Sequence, residues 1–430
     1  MSGSESLFAT LGAVLTMGLF ALPADLLTGA GRAWLFPLLL NIGLTLFSAW
    51  VYIRLGTTFP GQTLLDYTPR ILGRFGGWGV PAIYWAFHLY LNAVATESFV
   101  RALHPFVLFF TPSGVIAAIL LLPSAYLAGL GLKGLARASV VVVPVAYLLF
   151  LLPIVLSFSN AEYLNLRPSA GPGPGATLLA ATSTYYPFIS FDLTLLYTAF
   201  WDHPRRHARL LYWAVGAASF VLLLHVAAVV ATLGVNLPQR LVWPSLVLAE
   251  VTRFPGFFIE RLGFMIVISR IALGCLFMAT QLWALSFTVM HKFRPRRALF
   301  RPLIIVLALA SYVGAGLIGD QESLEGQLRN VISPAGLALV IVLPAIMLLV
   351  ARIRGFRSRP DEPVPSPGVP AAATAAATAG ASAPPTPPAL ERTAPTGGGP
   401  PAGGKGASGR KSRAAGRTRR AGRGRAPARR

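Results

Sequence analysis

The hydrophobic pattern of the chain consists of ten long apolar stretches between residues 7 and 352. A helix needs about 20 apolar residues to cross the hydrocarbon core of a bilayer, and each stretch has roughly that length. The pattern therefore predicts an all-α integral membrane protein with ten transmembrane helices. The predicted segments lie near residues 7–29, 33–53, 79–102, 114–132, 138–158, 177–200, 209–233, 262–290, 302–319 and 331–351.

Helix-breaking residues interrupt the first and the sixth apolar segments. The first contains Gly12, Gly18 and Pro23, and the sixth has Pro187 at its centre, with Asp192 shortly after it. Each interrupted segment opens one half of five, so we predict a 5+5 inverted repeat with broken helices 1 and 6. Breaks at matching positions indicate a ligand site near the bilayer midplane, because freed backbone groups are tolerated only around a cavity or inside protein.

Charged residues are scarce and are distributed unevenly between the predicted loops. They make up 12% of the 430 residues, against about a quarter in soluble domains. Lys and Arg concentrate in alternate loops, which is typical of loops that stay in the cytoplasm. This bias predicts that both termini are cytoplasmic. The basic loops are 54–74, 133–137, 205–209, 292–301 and 352–359.

The composition changes after residue 359, where we expect the membrane domain 1–359 to end. Residues 360–430 are rich in Pro, Ala and Gly and then in Arg, which is typical of a disordered tail, here predicted to be cytoplasmic. A basic tail of this kind binds anionic membrane lipid, or else a nucleic acid or an acidic partner. Residues 405–430 contain no aromatic side chain for base stacking, which argues against specific nucleic-acid binding.

The sequence carries no recognisable catalytic or metal-binding motif. It has no nucleophile elbow, P-loop or zinc-protease helix motif, and its His and Cys residues lack metal-ligand spacing. The single cysteine, Cys275, lies in the eighth segment and excludes an intramolecular disulfide. We therefore expect no enzyme activity, no cofactor and no bound metal.

Three charged residues, Glu97, Asp192 and Arg270, fall inside predicted membrane segments, where each costs at least about 2.5 kcal/mol. Asp192 follows the break in segment six and either binds a ligand amine or cation or caps the broken helix. Glu97 can reach the lipid headgroups or Arg101, four residues further on. Arg270 must pair with an acid or reach water. Its candidate partners are Glu97, Asp192 and Glu260.

The two breaks would supply polar backbone groups to a ligand. The amino end of a half-helix favours an anion and the carboxyl end a cation, so a zwitterion such as an amino acid suits both. Asp25, near the outer end of segment one, is expected at the membrane interface. Tyr84 and His88 share a helix face, with Asn92 nearby, and either line the cavity or bond to other helices. The candidate ligand-binding residues are Met17, Gly18, Leu19, Phe20, Tyr84, His88, Thr184, Tyr185, Tyr186, Phe188 and Asp192.

Several short motifs, taken in order, resemble those of the spore germination permeases. They are MGLFALP followed by GRAW, TTFPGQTLLDY, ILGRFGGWG, GLKGLARAS, and LGVNLPQRLVWPSLVLAEV followed by GFFIERLG. The resemblance covers roughly residues 5–352. Family members are the B subunits of nutrient germinant receptors, in the amino acid/polyamine/organocation transporter superfamily. The chain departs from the family at Asp192, where glutamate is common, and in its basic tail.

The resemblance implies a protein of the spore inner membrane that binds a nutrient, often an amino acid. It also implies signalling together with an A subunit and a lipoprotein C subunit. Two other hypotheses stay open. One is a proton- or sodium-coupled amino-acid transporter in which Asp192 or Glu97 carries the coupling, and the other is a membrane scaffold whose basic tail recruits an acidic partner.

Overall fold

The computed structural model describes residues 2–13, 20–105, 108–167, 171–201, 204–252 and 262–356. Within these ranges every regular element is a helix, which confirms the predicted all-α class. The candidate ligand residues Met17, Gly18 and Leu19 lie outside the described residues, as do Glu260 and the predicted tail.

Fifteen α-helices follow one another along the described part of the chain. They are α1 Gly3–Ala13, α2 Leu22–Ala30, α3 Leu35–Thr58, α4 Leu64–Leu103, α5 Ser113–Gly129, α6 Gly131–Ser157, α7 Pro174–Ser183, α8 Thr194–Tyr197, α9 Pro204–Leu233, α10 Pro244–Val251, α11 Leu262–Phe293, α12 Phe300–Gly316, α13 Gln321–Gln327, α14 Ser333–Leu337 and α15 Leu343–Ile353. Short 3₁₀ helices cover Gly31–Ala33, Phe158–Asn160, Tyr163–Leu166, Tyr186–Leu193, Thr198–Phe200, Pro238–Arg240 and Arg297–Leu299. Two π-helical turns cover Leu328–Ile332 and Ala338–Val342.

Six helical stretches of the described residues are long and apolar enough to cross a membrane. The helix α5 is apolar but shorter, and α4 is 40 residues long with a backbone kink at Gly73 (φ 76°, ψ −172°). Length and composition therefore agree with a chain that crosses the membrane several times. The six stretches are Leu35–Thr58, Gly131–Asn160, Arg206–Leu233, Gly263–Phe293, Arg297–Gly316 and Gln321–Ile353.

Large apolar side chains lie exposed on the outside of the helix bundle. Leu122 on α5, Leu148 on α6 and Ile305 on α12 are each about two-thirds exposed (71%, 66% and 65%). Water-soluble proteins seldom expose extended apolar surface, whereas lipid tails are as apolar as these side chains. These helices therefore present apolar faces to lipid.

Segment six is divided in the structure, and segment one is described on both sides of residues 14–19. Segment one contributes α1 up to Ala13 and α2 from Leu22, and Phe20 lies in a turn just before α2. Segment six forms α7, which ends at Ser183, and then a 3₁₀ helix that starts at Tyr186. The break therefore comes before Pro187 rather than at it. Proline lacks an N–H group and is tolerated in the first turn of the helix that follows, so it begins that helix instead of ending the previous one.

The half-helices α2 and α7 pack against each other through small residues. A Cβ atom added at Gly29 would lie 2.9 Å from the Cβ of Ala180, and Ala30, Ala33 and Ala180 form a small buried cluster. Small residues let helix backbones approach closely inside a membrane. The other half-helix, α1, packs instead against α6, α9 and α11. The two halves of segment one therefore have different neighbours.

The bundle has two ends, each marked by a contact between helices. At one of them, termed the basic end, the Lys292 ammonium donates to the Gly77 carbonyl at 2.5 Å. At the opposite end, termed the Gly319 end, Arg101 donates to the Gly319 carbonyl. A helix rises about 1.5 Å per residue, which places His88 of α4 about 16 Å from Gly77 and about 20 Å from Arg101. His88 therefore lies near the middle of the bundle.

Candidate ligand site at the interrupted helices

A chain of buried polar side chains crosses the centre of the bundle beside the break in segment six. His88 on α4 places Nε2 2.9 Å from Asp192 Oδ2 and Nδ1 2.8 Å from Gln281 Oε1. The Gln281 amide donates from Nε2 to Ser190 Oγ at 2.7 Å. These four residues, termed the central chain, connect α4 and α11 to the 3₁₀ helix that follows the break.

Asp192 lies beside a small cavity. The residue is 1% exposed, and its Oδ1 atom has no hydrogen-bond partner among the described residues. Asp192 and His88 line a cavity of about 20 Å³ that extends towards the basic end, where Leu64 and Thr288 complete it. A water molecule needs about 10–15 Å³, whereas pockets for small ligands measure about 300 Å³ or more. The cavity can therefore hold water but not an amino acid in this conformation.

Two tyrosines bind the second π-helical turn to the centre of the bundle. The Tyr84 hydroxyl donates to the Leu339 carbonyl, and the Tyr52 hydroxyl donates to the Val340 carbonyl, both at 2.6 Å. The Tyr52 ring also stacks on Phe191, with ring centroids 5.0 Å apart. A π turn shifts carbonyls out of the regular helical pattern, and such turns are frequent at functional sites. These bonds place segment ten against the break in segment six.

A buried carboxylate, Asp25 on α2, joins the two interrupted segments on the side of the Gly319 end. Arg329 donates from Nε to Asp25 Oδ1 at 2.8 Å, and its terminal nitrogen contacts the same oxygen. The Tyr186 hydroxyl donates to Asp25 Oδ2 at 2.6 Å, and the Tyr186 backbone N–H donates to Ser333 Oγ at 3.0 Å. Arg329 also donates to Glu325 at 3.2 Å. These residues form what is termed the Asp25 cluster.

The position of Asp25 differs from the sequence expectation. An interfacial site was expected, but the residue is only 5% exposed. Burial of a carboxylate is tolerated here because the Arg329 guanidinium and the Tyr186 hydroxyl donate to its two oxygens. The cluster holds α2, the start of the 3₁₀ helix after the break, and segment ten together. These elements cannot separate without breaking the ion pair between Asp25 and Arg329.

Polar side chains also lie on both sides of the interruption in segment one. The Tyr147 hydroxyl donates to the Leu11 carbonyl, and the Ser245 hydroxyl donates to the Phe20 carbonyl, both at 3.1 Å. His225 Nε2 lies 2.8 Å from Ser245 Oγ. Tyr147 thereby connects α6 to α1. The short helix α10, which carries Ser245, thereby contacts the start of the second half-helix.

Arg270 lies between two aromatic rings close to the same interruption. Its guanidinium carbon is 4.7 Å from the centre of the Phe20 ring and 5.1 Å from the centre of the Phe99 ring. The residue is 2% exposed, so the cation is fully inside the protein. Attraction between a cation and the faces of aromatic rings provides part of the stabilisation that such burial requires.

Two of the three acids considered as partners of Arg270 engage other residues, and the third, Glu260, lies outside the described residues. Glu97 Oε1 lies 2.6 Å from Arg101 Nε, which is the i,i+4 pair that helix geometry predicts. Asp192 pairs with His88 in the central chain. The three membrane charges therefore occupy separate environments, although the sequence left open whether they meet.

A wider depression of about 650 Å³ is open at the Gly319 end of the bundle. Glu97, Arg101, His104 and Trp243 are among its lining residues. Trp243 packs edge-on against Phe20, with ring centroids 6.1 Å apart. A solute in this depression therefore lies close to the start of the second half-helix of segment one.

The sequence of this bundle matches a known protein family. Residues 1–315 match the family model described as "Spore germination protein". The chain belongs to this family of spore germination permeases. The membership confirms the resemblance carried by the short motifs.

Relatives of this permease in Bacillus subtilis (strain 168) have the same description. The chain is 24% identical to spore germination protein YndE over 346 residues, which covers 79% of this chain and 93% of that protein. It is 24% identical to spore germination protein KB over 260 residues, which covers 59% of this chain and 69% of that protein.

Solved transporters share the fold of the permease. The structure of MhsT in complex with L-phenylalanine superposes with a TM-score of 0.56 at 14% identity, covering 83% of this chain and 99% of that one. A Na⁺-coupled sialic acid symporter in an outward-open state superposes with a TM-score of 0.58 at 14% identity, covering 80% of this chain and 79% of that one. The family and the fold are those of permeases and transporters, and the chain is an all-α, multi-pass membrane protein.

The break in segment six buries the predicted residues Thr184, Tyr185 and Phe188. The Thr184 hydroxyl donates to the Ala180 carbonyl at 2.7 Å, one turn back in α7. The Thr45 hydroxyl of α3 donates to the Tyr185 hydroxyl at 3.4 Å. All three residues adjoin the point where the permease changes from α to 3₁₀ geometry, and their contact with a ligand stays a prediction.

The predicted residues of segment three divide between two environments. The rings of Tyr84 and His88 stack with centroids 6.0 Å apart, and His88 reaches Asp192. Asn92 lies one turn further along and donates to Ser311 of α12 at 2.8 Å. Asn92 is therefore an interhelical contact and does not join the central chain.

Sequence reasoning did not identify Gln281, Arg329 or Ser333 as parts of the site. Gln281 could have been found, because an amide inside the apolar run LFMATQLWALSF needs a partner in a membrane helix. Arg329 precedes the predicted segment ten, and its partner Asp25 is 304 positions away. No local pattern reveals such a pair.

Proposed function

We propose that this permease is the nutrient-sensing membrane subunit of a spore germination receptor and binds a small amino acid between its two interrupted helices. The family match over residues 1–315 carries the proposal. The transporter fold supports it, since MhsT is described in complex with L-phenylalanine. The subunit would act in the spore inner membrane with an A subunit and a lipoprotein C subunit, and both of its termini would be cytoplasmic.

The ends of the half-helices support a zwitterionic ligand. The carboxyl end of α7 at Ser183 favours an ammonium group, and the amino end of the following helix at Tyr186 favours a carboxylate. Met17, Gly18 and Leu19 would provide the matching groups of segment one. An amino acid placed across the two breaks would satisfy both charges in one pose.

Binding requires movement, because the cavity of about 20 Å³ beside Asp192 has no room for an amino acid. The Asp25 cluster opposes opening towards the Gly319 end, since Tyr186 and Arg329 would have to separate from Asp25. A nutrient shifts the balance between closed and open states by its different affinity for the two. The partner subunits would respond to the resulting change in the populations of the closed and open states.

The nutrient site can be tested by a substitution at Phe188, which is fully buried at the break. We expect Phe188→Leu to change the amino-acid concentration that gives half-maximal spore germination by about tenfold or more, equivalent to about 1.4 kcal/mol of binding. The matched control is Phe220→Leu on α9, where the side chain is 63% exposed. Equal responses of the two variants and the parent, at equal membrane abundance, would contradict the proposal.

A second candidate is a proton- or sodium-coupled amino-acid transporter. The similarity in fold to a Na⁺-coupled symporter favours it. Uptake of labelled amino acid into proteoliposomes, driven by a sodium or pH gradient and lost in Asp192→Asn, would establish transport. Binding without uptake under both gradients would support sensing alone.

The tail of residues 360–430 is proposed to lie in the cytoplasm against anionic lipid. Its basic composition supports this role, at about 1 kcal/mol for each basic residue near the membrane surface. Removal of the residues after 359 should leave the nutrient response intact. Loss of the response would instead favour the scaffold hypothesis.

A further inference from the structure

The hydrogen bonds around His88 determine how its imidazole shares protons with Asp192. With the amide orientation seen in the structure, Gln281 donates from Nε2 to Ser190, which leaves Gln281 Oε1 as an acceptor 2.8 Å from His88 Nδ1. Nδ1 therefore carries a hydrogen. On the other side of the ring, Nε2 faces Asp192 Oδ2 at 2.9 Å. Both of these atoms are acceptors unless one of them is protonated.

One further proton is therefore needed between His88 and Asp192. Placed on the imidazole it gives an imidazolium–carboxylate pair, and placed on the carboxyl group it gives two neutral partners, so the pair has no net charge in either form. Without the proton, two lone pairs would meet at 2.9 Å and an unneutralised carboxylate would stay buried in the membrane. Loss of the proton therefore favours separation of α4 from the 3₁₀ helix that carries Asp192.

The groups around Asp192 do not replace this proton. Gln281 on α11 is uncharged, and the other described titratable groups that face Asp192 from α3, α4 and segment six, apart from His88, are phenols. Phenols ionise near pH 10 in water and stay neutral while an imidazole or carboxyl group exchanges a proton. These phenols belong to Tyr52, Tyr84, Tyr185 and Tyr197.

The small cavity provides a path for the proton. It touches both His88 and Asp192 and extends to Thr288 on the side of the basic end. Asp192 Oδ1, which has no described partner, is available to a water molecule there. A cavity of about 20 Å³ accommodates one such molecule, which can accept the proton when it leaves the pair.

We propose that the His88–Asp192 pair is a proton-binding site, and that release of its proton opens the permease towards the basic end. The protonated pair holds α4 against the break, and the deprotonated pair repels. The biological consequence rests on the proposed function: nutrient binding that moves the break would be linked to exchange of one proton with the aqueous phase at the basic end.

The test measures opening with a thiol reporter and needs neither nutrient nor spores. Thr288→Cys, in a Cys275→Ser background, places a thiol in the cavity of the full-length protein in detergent. Its alkylation rate by N-ethylmaleimide is divided by that of an exposed reporter, Ser159→Cys, which removes the pH dependence of the thiolate itself. We expect this ratio to rise about tenfold between about pH 5.5 and pH 8.5, because loss of the shared proton lets α4 move away from the break.

Two variants distinguish an effect of the shared proton from a general effect of substitution on folding. Asp192→Asn supplies an amide that donates to His88 Nε2 at any pH, so its ratio should change less than about twofold over the same range. The alkylation ratio of His88→Gln should change equally little with pH. This variant replaces Asp192→Asn in the test if Asp192→Asn does not give a monodisperse protein. A flat ratio in the parent, or a variant that keeps the tenfold change of the parent, would overturn the proposal. Either result leaves the Phe188 germination test unaffected.

Discussion

Replacing Arg329 by glutamine removes the positive partner of the buried Asp25 carboxylate while it keeps a long, polar side chain at this position. Removal of one member of a buried ion pair costs about 3–5 kcal/mol, because the remaining charge stays buried without compensation. The Arg329 side chain is 33% exposed, so water weakens the pair, and the Tyr186 hydroxyl continues to donate to Asp25. We therefore expect Arg329→Gln to destabilise the protein by about 2–3 kcal/mol.

The assay is the apparent unfolding midpoint of the purified protein in detergent at a fixed scan rate. About 2 °C per kcal/mol is reasonable for a chain of this size, so the midpoint should fall by about 4–6 °C. The matched control is Arg354→Gln at the basic end, where an exposed guanidinium donates to the Arg70 carbonyl at 3.3 Å. Such a surface contact contributes less than about 0.5 kcal/mol, so the unfolding midpoint of Arg354→Gln should differ from that of the parent by about 1 °C or less.

A double-mutant cycle shows whether the loss comes from the pair itself. Asp25→Asn removes the charge that Arg329 compensates, so the combined variant should lose at least about 1 kcal/mol less than the sum of the two single variants. The reasoning is refuted if the two losses add within about 0.5 kcal/mol, or if Arg329→Gln is no worse than Arg354→Gln.

Other consequences follow from contacts at the two ends of the bundle. Gly274→Ala would place a Cβ atom 2.8 Å from carbons of the Phe99 ring, so we expect a loss of about 1–3 kcal/mol, and an unchanged unfolding midpoint would contradict this. At the basic end, burial raises the pKa of Asp66, but hydrogen bonds from His291 and Thr63 outweigh burial and lower the pKa from 3.8 to about 2. The stabilisation by Asp66 is therefore complete above about pH 4 and is lost as the pH falls towards about 2. Asp66→Asn should cost about 1 kcal/mol at pH 7, as for a lost helix cap, and its midpoint should approach that of the parent below about pH 4, whereas a constant gap would argue against the pairing.

The interrupted helices could be predicted because their causes are local. Proline cannot continue a helix hydrogen-bond pattern, and Pro187 marks segment six whatever packs around it. The pair of Glu97 with Arg101 follows equally from a spacing of four residues on one helix. The actual end of α7 at Ser183 was less predictable, because a proline fits inside the first turn of the next helix.

The partners inside the site depend on contacts between distant parts of the chain. Asp25 and Arg329 are 304 positions apart, and His88 and Gln281 are 193 positions apart. Asp25 was expected at the interface for this reason: the nearby sequence shows a carboxylate close to a helix end, but not the guanidinium that compensates its burial.

The sequence by itself determined the all-α membrane class, the interruption of segment six and the isolated charges, since each arises from the solubility or backbone geometry of residues close together in the chain. Only the tertiary structure decided that Asp25 pairs with Arg329 on one side of the breaks and that His88 and Asp192 meet at the centre. Such pairs exist because helix packing brings complementary groups to hydrogen-bond distance inside the membrane, where too little water is available to satisfy them separately.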